Sequence, residues 1–431
     1  MLPLNLVAVL TLTTTIEALK FRSALEYDEE RIAASVSADL QRLKSGVQHG
    51  REDLARRRTR AEQVVLSSKG DFHRVETWDA VPPLGLLVPA ALGNPPQPFR
   101  LMVDLAGDTL FVPSLLLDTS ETGNDDILRF SSNESSTFVS IQPDAYTDFA
   151  GVIFSGELAV DTFMIAGVEV AQQPFINADS ADPIAWIHLW FGYEGALGLS
   201  PKWNTTLHPT QTPSPLAMMV SQGLLDRNLF AIDVPRGPRL DGDQISRIGE
   251  ISFGGINPAY DASRFSVLPL DNYTDAMWAV SAQSLTWENG SSPIHEEFEQ
   301  PTLALFTTEW FISVPRAWYE RIQEAVVPDC GFVWCFIDCE LRAKLPNFTF
   351  GIAGQNFTLT PFDYAPVVVT PSQRQMCSFD IESTSGVLGS GDPVLERSII
   401  LGTPFLNAFY TVFDLDQSEI RCRETHTYIR C

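Results

Sequence analysis

The spacing of apolar and polar residues divides the chain into a helical head and a β-rich body. Residues 22–62 have helical spacing, charged faces and no strand-like alternation. Beyond residue 80 the apolar runs are short and punctuated by Gly, Pro and Asn, as in all-β proteins. The stretch FRLMVDLAGDTLFVPS, residues 99–114, predicts two buried strands joined by a loop that begins with Asp104. An acid at the end of an apolar strand is costly unless it is hydrogen-bonded or has a chemical role.

The first 75 residues are predicted to precede the β-rich body. Residues 1–18 have a short apolar core followed by small residues, which is typical of a secretory signal peptide. Residues 19–75 form a basic, helical, propeptide-like segment. Its tract RRRTR, ending at Arg60, suits either cleavage by a basic-specific processing protease or a solvated charged face. No later apolar run reaches the length of a membrane span.

Charge is distributed unevenly along the 431 residues. The formal net charge is −25, yet residues 19–60 hold 10 Lys/Arg against 7 Asp/Glu and residues 61–431 hold 19 against 46. A basic head can therefore pair with an acidic body before its removal, or it can be a solvated arm. The acidic body lacks the basic surface that nucleic-acid binding requires. No cofactor and no metal site are expected, because the chain has neither a C-x-x-C pair nor a phosphate-binding glycine loop.

Two further features indicate a secreted chain. Six cysteines in the last 102 residues imply disulfides, with fifteen pairings open: Cys330, Cys335, Cys339, Cys377, Cys422 and Cys431. Six sequons predict N-glycosylation: Asn133, Asn204, Asn272, Asn289, Asn347 and Asn356.

An internal repeat is visible when the chain is shifted by 202 residues. Residues 101–113 then match residues 303–315 without a gap, so that Pro113 meets Pro315. A second pair, ALG at 196–198 and ILG at 400–402, follows in the same order at an offset of 204. The repeat predicts two related lobes, which we place at residues 76–255 and 256–431. At the position equivalent to Asp104 the second lobe has Phe306.

These segments resemble the pepsin-like aspartic proteases from about Leu84 to the C-terminus. LGNPPQPFRLMVDLAGDTLFVPS is similar to the entry strand and first aspartate loop, and FAGVIFSGELAVDTFMIAG to the active-site flap. YEGALGLSP and ILGTPFLNAFYTVFDLD match later strands of the two lobes. The resemblance implies an all-β, bilobal pepsin-like fold, with two β-rich lobes around a central cleft covered by a flap.

The resemblance also implies which residues form the site. The family hydrolyses peptides with two aspartates that share a proton; here Asp104 is the sole surviving catalytic acid, since its partner position is Phe306. The substrate-binding residues that it implies are Phe149, Ala150, Phe111 and Thr307. The resemblance also pairs Cys339 with Cys377. Among the remaining cysteines, elimination and proximity suggest that Cys330 pairs with Cys335 and Cys422 with Cys431.

We therefore expect a secreted or endolysosomal monomer that has lost proteolysis and binds a peptide or protein ligand in an apolar cleft lined by Phe306 and Phe149. The alternative is an active aspartic endopeptidase with a non-standard second acid. Glu309 lies three residues beyond the required position, which disfavours it, and Asp108 and Asp380 remain open. A glycosylated scaffold without a ligand is a third interpretation.

Overall fold

The structure is a computed structural model, and it describes thirteen segments of the chain. The signal peptide, most of the propeptide-like segment, Ala150, Asn204 and Cys431 lie outside the described residues. The described segments are 73–79, 85–118, 127–149, 152–182, 194–201, 213–234, 249–272, 276–289, 292–326, 329–330, 335–369, 375–384 and 394–425.

Strands dominate the first half of the chain, as the short apolar runs predict. In chain order they are β1 (His73–Asp79), β2 (Leu86–Leu92), β3 (Gln97–Asp104), β4 (Leu110–Pro113), β5 (Val139–Phe149), β6 (Val152–Ile165), β7 (Val168–Ala181), β8 (Ala196–Gly198), β9 (Leu229–Asp233) and β10 (Gly249–Phe253). Residues along β6 alternate between buried and half-buried positions, which fits a strand with one face on the core. β3 and β4 contain almost continuous buried runs because both lie in the interior of a sheet.

The second half continues in strands. They are β11 (Ser266–Pro269), β12 (Ala279–Asn289), β13 (Ser292–Phe306), β14 (Ile312–Val314), β15 (Asp329–Cys330), β16 (Cys335–Ile337), β17 (Phe348–Ile352), β18 (Gln355–Leu359), β19 (Val367–Val369), β20 (Gln375–Ser378), β21 (Ile381–Ser383), β22 (Ile399–Leu401), β23 (Phe409–Asp414) and β24 (Glu419–Glu424).

The described helices are short and lie between strands. They are α1 (Pro215–Ser221), α2 (Arg316–Val326), α3 (Pro361–Tyr364) and α4 (Thr403–Ala408). α1 begins where Ser214 accepts a hydrogen bond from the Ala217 N–H and Pro215 occupies the first turn. None of the helices in the described segments has the length and apolarity to cross a membrane.

The strands form three sheets. The largest has thirteen strands in the order β11-β24-β23-β9-β10-β1-β2-β3-β8-β4-β7-β6-β5. A second sheet has the order β18-β17-β12-β13-β22-β14-β21, and a small one has the order β15-β16-β20-β19. The two halves share the large sheet, because β23 from the end of the chain pairs with β9 from the first half. The architecture is the all-β, bilobal fold that the sequence predicts.

The register of the strands reproduces the internal repeat. In the first half β4 pairs antiparallel with β8 through Leu110 and Leu197, and in the second half β14 pairs with β22 through Ile312 and Leu401. β4 also pairs parallel with β7, and β14 pairs parallel with β21. The same strand arrangement therefore occurs twice, once behind Asp104 and once behind Phe306.

The domain boundaries expected from the sequence fall at two places in this fold. The boundary between residues 75 and 76 lies inside β1, which pairs with β10 and β2. The boundary between residues 255 and 256 lies in the turn that follows β10.

The cysteines agree with the expected pairings in part. Cys339 and Cys377 form a disulfide. Cys335 is also disulfide-bonded, and the strand register places Cys330 opposite it. The expected pairing of Cys422 with Cys431 is wrong, because Cys422 carries a free thiol within the core. It lies on β24, where Thr411 on the adjacent strand β23 faces its sulfur at 3.9 Å.

Candidate active site

Asp104 ends β3, at the mouth of the first loop (residues 105–109). Strand β3 pairs parallel with β8, so Asp104 lies beside Gly198. The Ala106 N–H donates a hydrogen bond of 2.9 Å to Oδ1 of Asp104. A Cβ on Gly107 would lie 2.3 Å from Oδ2. The first loop thus brings its backbone directly against the carboxylate, and a side chain at position 107 would displace it.

Phe306 ends β13 in the equivalent place of the second half, but its side chain lies in the core. Its ring is 1% exposed and makes edge contacts with Phe405 at 5.3 Å and Phe413 at 6.2 Å. The expectation that Phe306 adds apolar surface to the cleft is therefore wrong. An aromatic ring has no polar atom to keep in water, and burying it stabilises the fold by about 2–3 kcal/mol. The second half accordingly provides no carboxylate at this position.

The two loops are equivalent in their backbone hydrogen bonds as well as in their strands. The Ser200 N–H donates to the Gly107 carbonyl at 2.9 Å, and the Thr403 N–H donates to the Glu309 carbonyl at 2.6 Å. Glu309 in the second loop (residues 307–311) therefore occupies the position that Gly107 has in the first.

A buried hydrogen bond joins the second loop to the end of β3. Oγ1 of Thr308 donates to the Val103 carbonyl at 2.6 Å, across 205 residues of sequence. Thr307, which the resemblance implies as a substrate-binding residue, accepts a hydrogen bond of 3.3 Å from the Glu309 N–H. Thr308 stands where the resemblance implies a glycine, and its hydroxyl holds the second loop to the residue that precedes Asp104.

Glu309 interacts electrostatically with Asp104. Burial and, to a smaller extent, the negative charge of Asp104 raise the pKa of Glu309 to about 7. Sequence reasoning disfavoured Glu309 because it compared positions along the chain. The signal that could have identified it is the symmetry of the repeat, which makes residue 309 the counterpart of the glycine that touches Asp104.

The other expected residues divide between the flap and the lobe interiors. Phe149 ends β5 and is buried, with its ring 5.5 Å from that of Phe111. Phe111 also packs 4.6 Å from Phe154, so the flap hairpin of β5 and β6 joins the apolar cluster beneath it. Asp108 is buried and accepts a hydrogen bond of 2.9 Å from Oγ1 of Thr109. Asp380 is buried next to β14.

Fold and site together define a two-lobed β protein with equivalent loops meeting at a cleft. The sequence profile described as Eukaryotic aspartyl protease matches residues 87–424, and the chain belongs to this family. It is 27% identical over 332 residues to vacuolar protease A of Aspergillus fumigatus, covering 77% of this chain and 76% of that protein. Cathepsin D of Dictyostelium discoideum is 27% identical over 335 residues (76% and 80%), and pepsin A of Gallus gallus is 26% identical over 331 residues (77% and 81%).

Proposed function

We propose that this protein is an aspartic peptidase homologue that binds a peptide or a protein segment in its cleft and has lost the two-aspartate hydrolysis of its family. The observation that carries the proposal is the position of Phe306. The hydrolysis needs one carboxylate as a base toward water and a protonated partner that polarises the peptide carbonyl. A phenyl ring can do neither, and at 1% exposure this ring also lies away from the cleft.

Binding is retained in this proposal because the parts that surround a ligand persist. The loops are joined through Thr308 and Val103. The flap hairpin is packed onto Phe111 through Phe149. Preformed concave sites with apolar walls and a few polar groups are the usual places where proteins bind ligands.

We also propose where the protein works. Removal of residues 1–18 and of the propeptide-like segment would yield a glycosylated monomer that is secreted or resides in an acidic endolysosomal compartment. Asn133, Asn272 and Asn356 are exposed, so these sequons are accessible to glycosylation. One relative is named vacuolar protease A, and we infer a comparable location for this protein.

One observation favours a second candidate, an endopeptidase with Asp104 and Glu309 as its two acids. With a pKa raised to about 7, Glu309 would remain protonated in an acidic compartment while acting beside the charge of Asp104. That is the asymmetry that acid–base hydrolysis by two carboxylates requires.

A proteolysis assay tests the proposed function. The processed protein is incubated with a denatured protein substrate from pH 2 to 7, with and without pepstatin. We expect no pepstatin-sensitive cleavage. Cleavage that pepstatin blocks and that Asp104→Ala abolishes would overturn the proposal, and its loss in Glu309→Gln would establish the second candidate.

A further inference from the structure

We propose that Asp104 and Glu309 form a substitute carboxylate pair that holds the backbone of a bound peptide, with the Glu309 carboxyl group donating a hydrogen bond and the Asp104 carboxylate accepting one. The inference rests on the proposed cleft-binding function and names the groups that perform it. Asp104 is the last residue of β3, whereas Glu309 is the third residue of the second loop. The two acids therefore do not occupy equivalent positions of the repeat.

The contacts between the loops bring the two residues together. Thr308 is hydrogen-bonded to Val103. Glu309 follows Thr308 in the sequence, and Asp104 follows Val103. On the opposite loop, Gly107 presses directly against the Asp104 carboxylate. Glu309 is the counterpart of Gly107 by the 202-residue offset of the repeat. The two acids therefore follow directly on a bonded pair of residues, and they are close enough for the Asp104 charge to act on Glu309.

The side chain of residue 306 does not occupy the space beside Asp104, which leaves room there for the Glu309 carboxyl group. The Phe306 ring turns into the core against Phe405 and Phe413. The acid that the second loop contributes beside Asp104 is therefore Glu309. Among the described residues, the charged group that acts on Glu309 is Asp104 on β3. The backbone of Glu309 is hydrogen-bonded to Thr307 and Thr403, which carry no charge.

The protonation states give the pair its chemical use. A carboxylate only accepts hydrogen bonds, whereas a protonated carboxyl group also donates one. Peptide backbone carries both a carbonyl oxygen and an N–H, so one acid of each kind satisfies it. The same holds for a secondary alcohol, which both donates and accepts. Because burial and the Asp104 charge raise the pKa of Glu309 to about 7, raising the pH above neutrality removes the donor and places two negative charges together.

The test measures binding of pepstatin, a peptide that carries such an alcohol, to the processed protein between pH 5 and pH 8. We expect the affinity of the wild type to fall about tenfold at pH 8, since about one-tenth of the groups with a pKa near 7 remain protonated there. Glu309→Gln keeps an N–H donor and should bind equally at both pH values. Glu309→Ala should bind weakly at both. Glu382→Gln, a half-buried glutamate on β21 bonded to Ser313, is the matched control and should follow the wild type.

A second measurement needs no ligand. In a ¹³C NMR titration, Asp104→Asn should lower the pKa of Glu309 by removing the neighbouring charge. If Glu309 titrates near 4.5 in the wild type, or ignores Asp104→Asn, the pair is refuted even where pepstatin binds. If the titration shows the pair but pepstatin binds at no pH, the cleft-binding function is refuted, and the peptide-holding role with it. A wild-type pH profile in Glu309→Gln also overturns the inference.

Discussion

Replacing Glu309 with glutamine should flatten the pH dependence of folding stability. In the folded protein, burial and the Asp104 charge raise the pKa of Glu309 from its ordinary 4.5 to about 7. In the unfolded chain the group is solvated and keeps its ordinary pKa. Between these values the folded state holds a proton that the unfolded state has released. Stability therefore falls as the pH rises from about 4.5 to about 7, and it levels off above that window.

The magnitude follows from the size of the pKa change. Each pKa unit corresponds to about 1.4 kcal/mol, so the ionisation of Glu309 costs the folded state about 3 kcal/mol at pH 8 relative to pH 4.5. Glu309 is partly exposed, and solvent screening makes this value an upper bound. Because glutamine has a similar shape and no charge, Glu309→Gln should be more stable than the wild type at pH 8 and nearly equal to it at pH 4.5.

Urea unfolding at pH 4.5, 6 and 8 measures this difference directly. Other carboxylates also change the stability with pH, so the quantity to compare is the free energy of unfolding of the variant minus that of the wild type. Glu382→Gln serves as the control, and its stability should depend on pH in the same way as that of the wild type. A constant difference across the three pH values would refute the placement of Glu309 beside Asp104.

Three further substitutions test the geometry of the two loops. Phe306→Asp should destabilise the protein by at least about 3 kcal/mol in urea unfolding, because it buries a carboxyl group among aromatic rings; it should restore no proteolysis of a denatured substrate. Gly107→Ala should weaken pepstatin binding in a titration at pH 5 by displacing the Asp104 carboxylate, at a stability cost of less than about 1 kcal/mol. Thr308→Val removes the donor to the buried Val103 carbonyl and should cost about 1–3 kcal/mol in the same unfolding assay.

Each of these expectations has an outcome that contradicts it. Strong pepstatin-sensitive cleavage by Phe306→Asp would mean that the loops retain the geometry of an active enzyme. Unchanged pepstatin binding by Gly107→Ala would remove the carboxylate of Asp104 from the ligand site. Thr349→Val, which removes a hydroxyl from an exposed pair with Thr358, is the control for Thr308→Val, and equal costs would show that the contact between loops is not special.

The predictions from sequence were reliable where a long pattern carried them. Apolar runs and their repeat at a near-constant offset predicted the strands behind Asp104 and Phe306, because buried strands constrain many consecutive residues at once. Residue type alone could not predict the direction of the Phe306 ring, which the aromatic neighbours Phe405 and Phe413 decide. These two residues lie about a hundred positions beyond Phe306 along the chain.

Glu309 was disfavoured, and the contact of Thr308 was not predicted, for a related reason. Comparison by position assigns one role to each place in a motif, and it expects the second acid at residue 306. A side chain can instead reach the same region from a neighbouring position when the loop is held differently. The hydrogen bond from Thr308 to Val103 holds this loop, and nothing in the local sequence announces a contact across 205 residues. Cys422 is similar, since its burial on β24 depends on the partner strand β23.

The pairing of β23 with β9 has a consequence for synthesis of the protein. β9 (Leu229–Asp233) is bonded to β10 on one side, while its other side is covered by β23 (Phe409–Asp414). A nascent chain therefore carries an uncovered strand edge from the moment β9 folds until about 180 further residues have been translated. Such edges are prone to pairing with other chains. β23 therefore covers this edge of the large sheet, and a chain terminated before β23 would expose the edge to association.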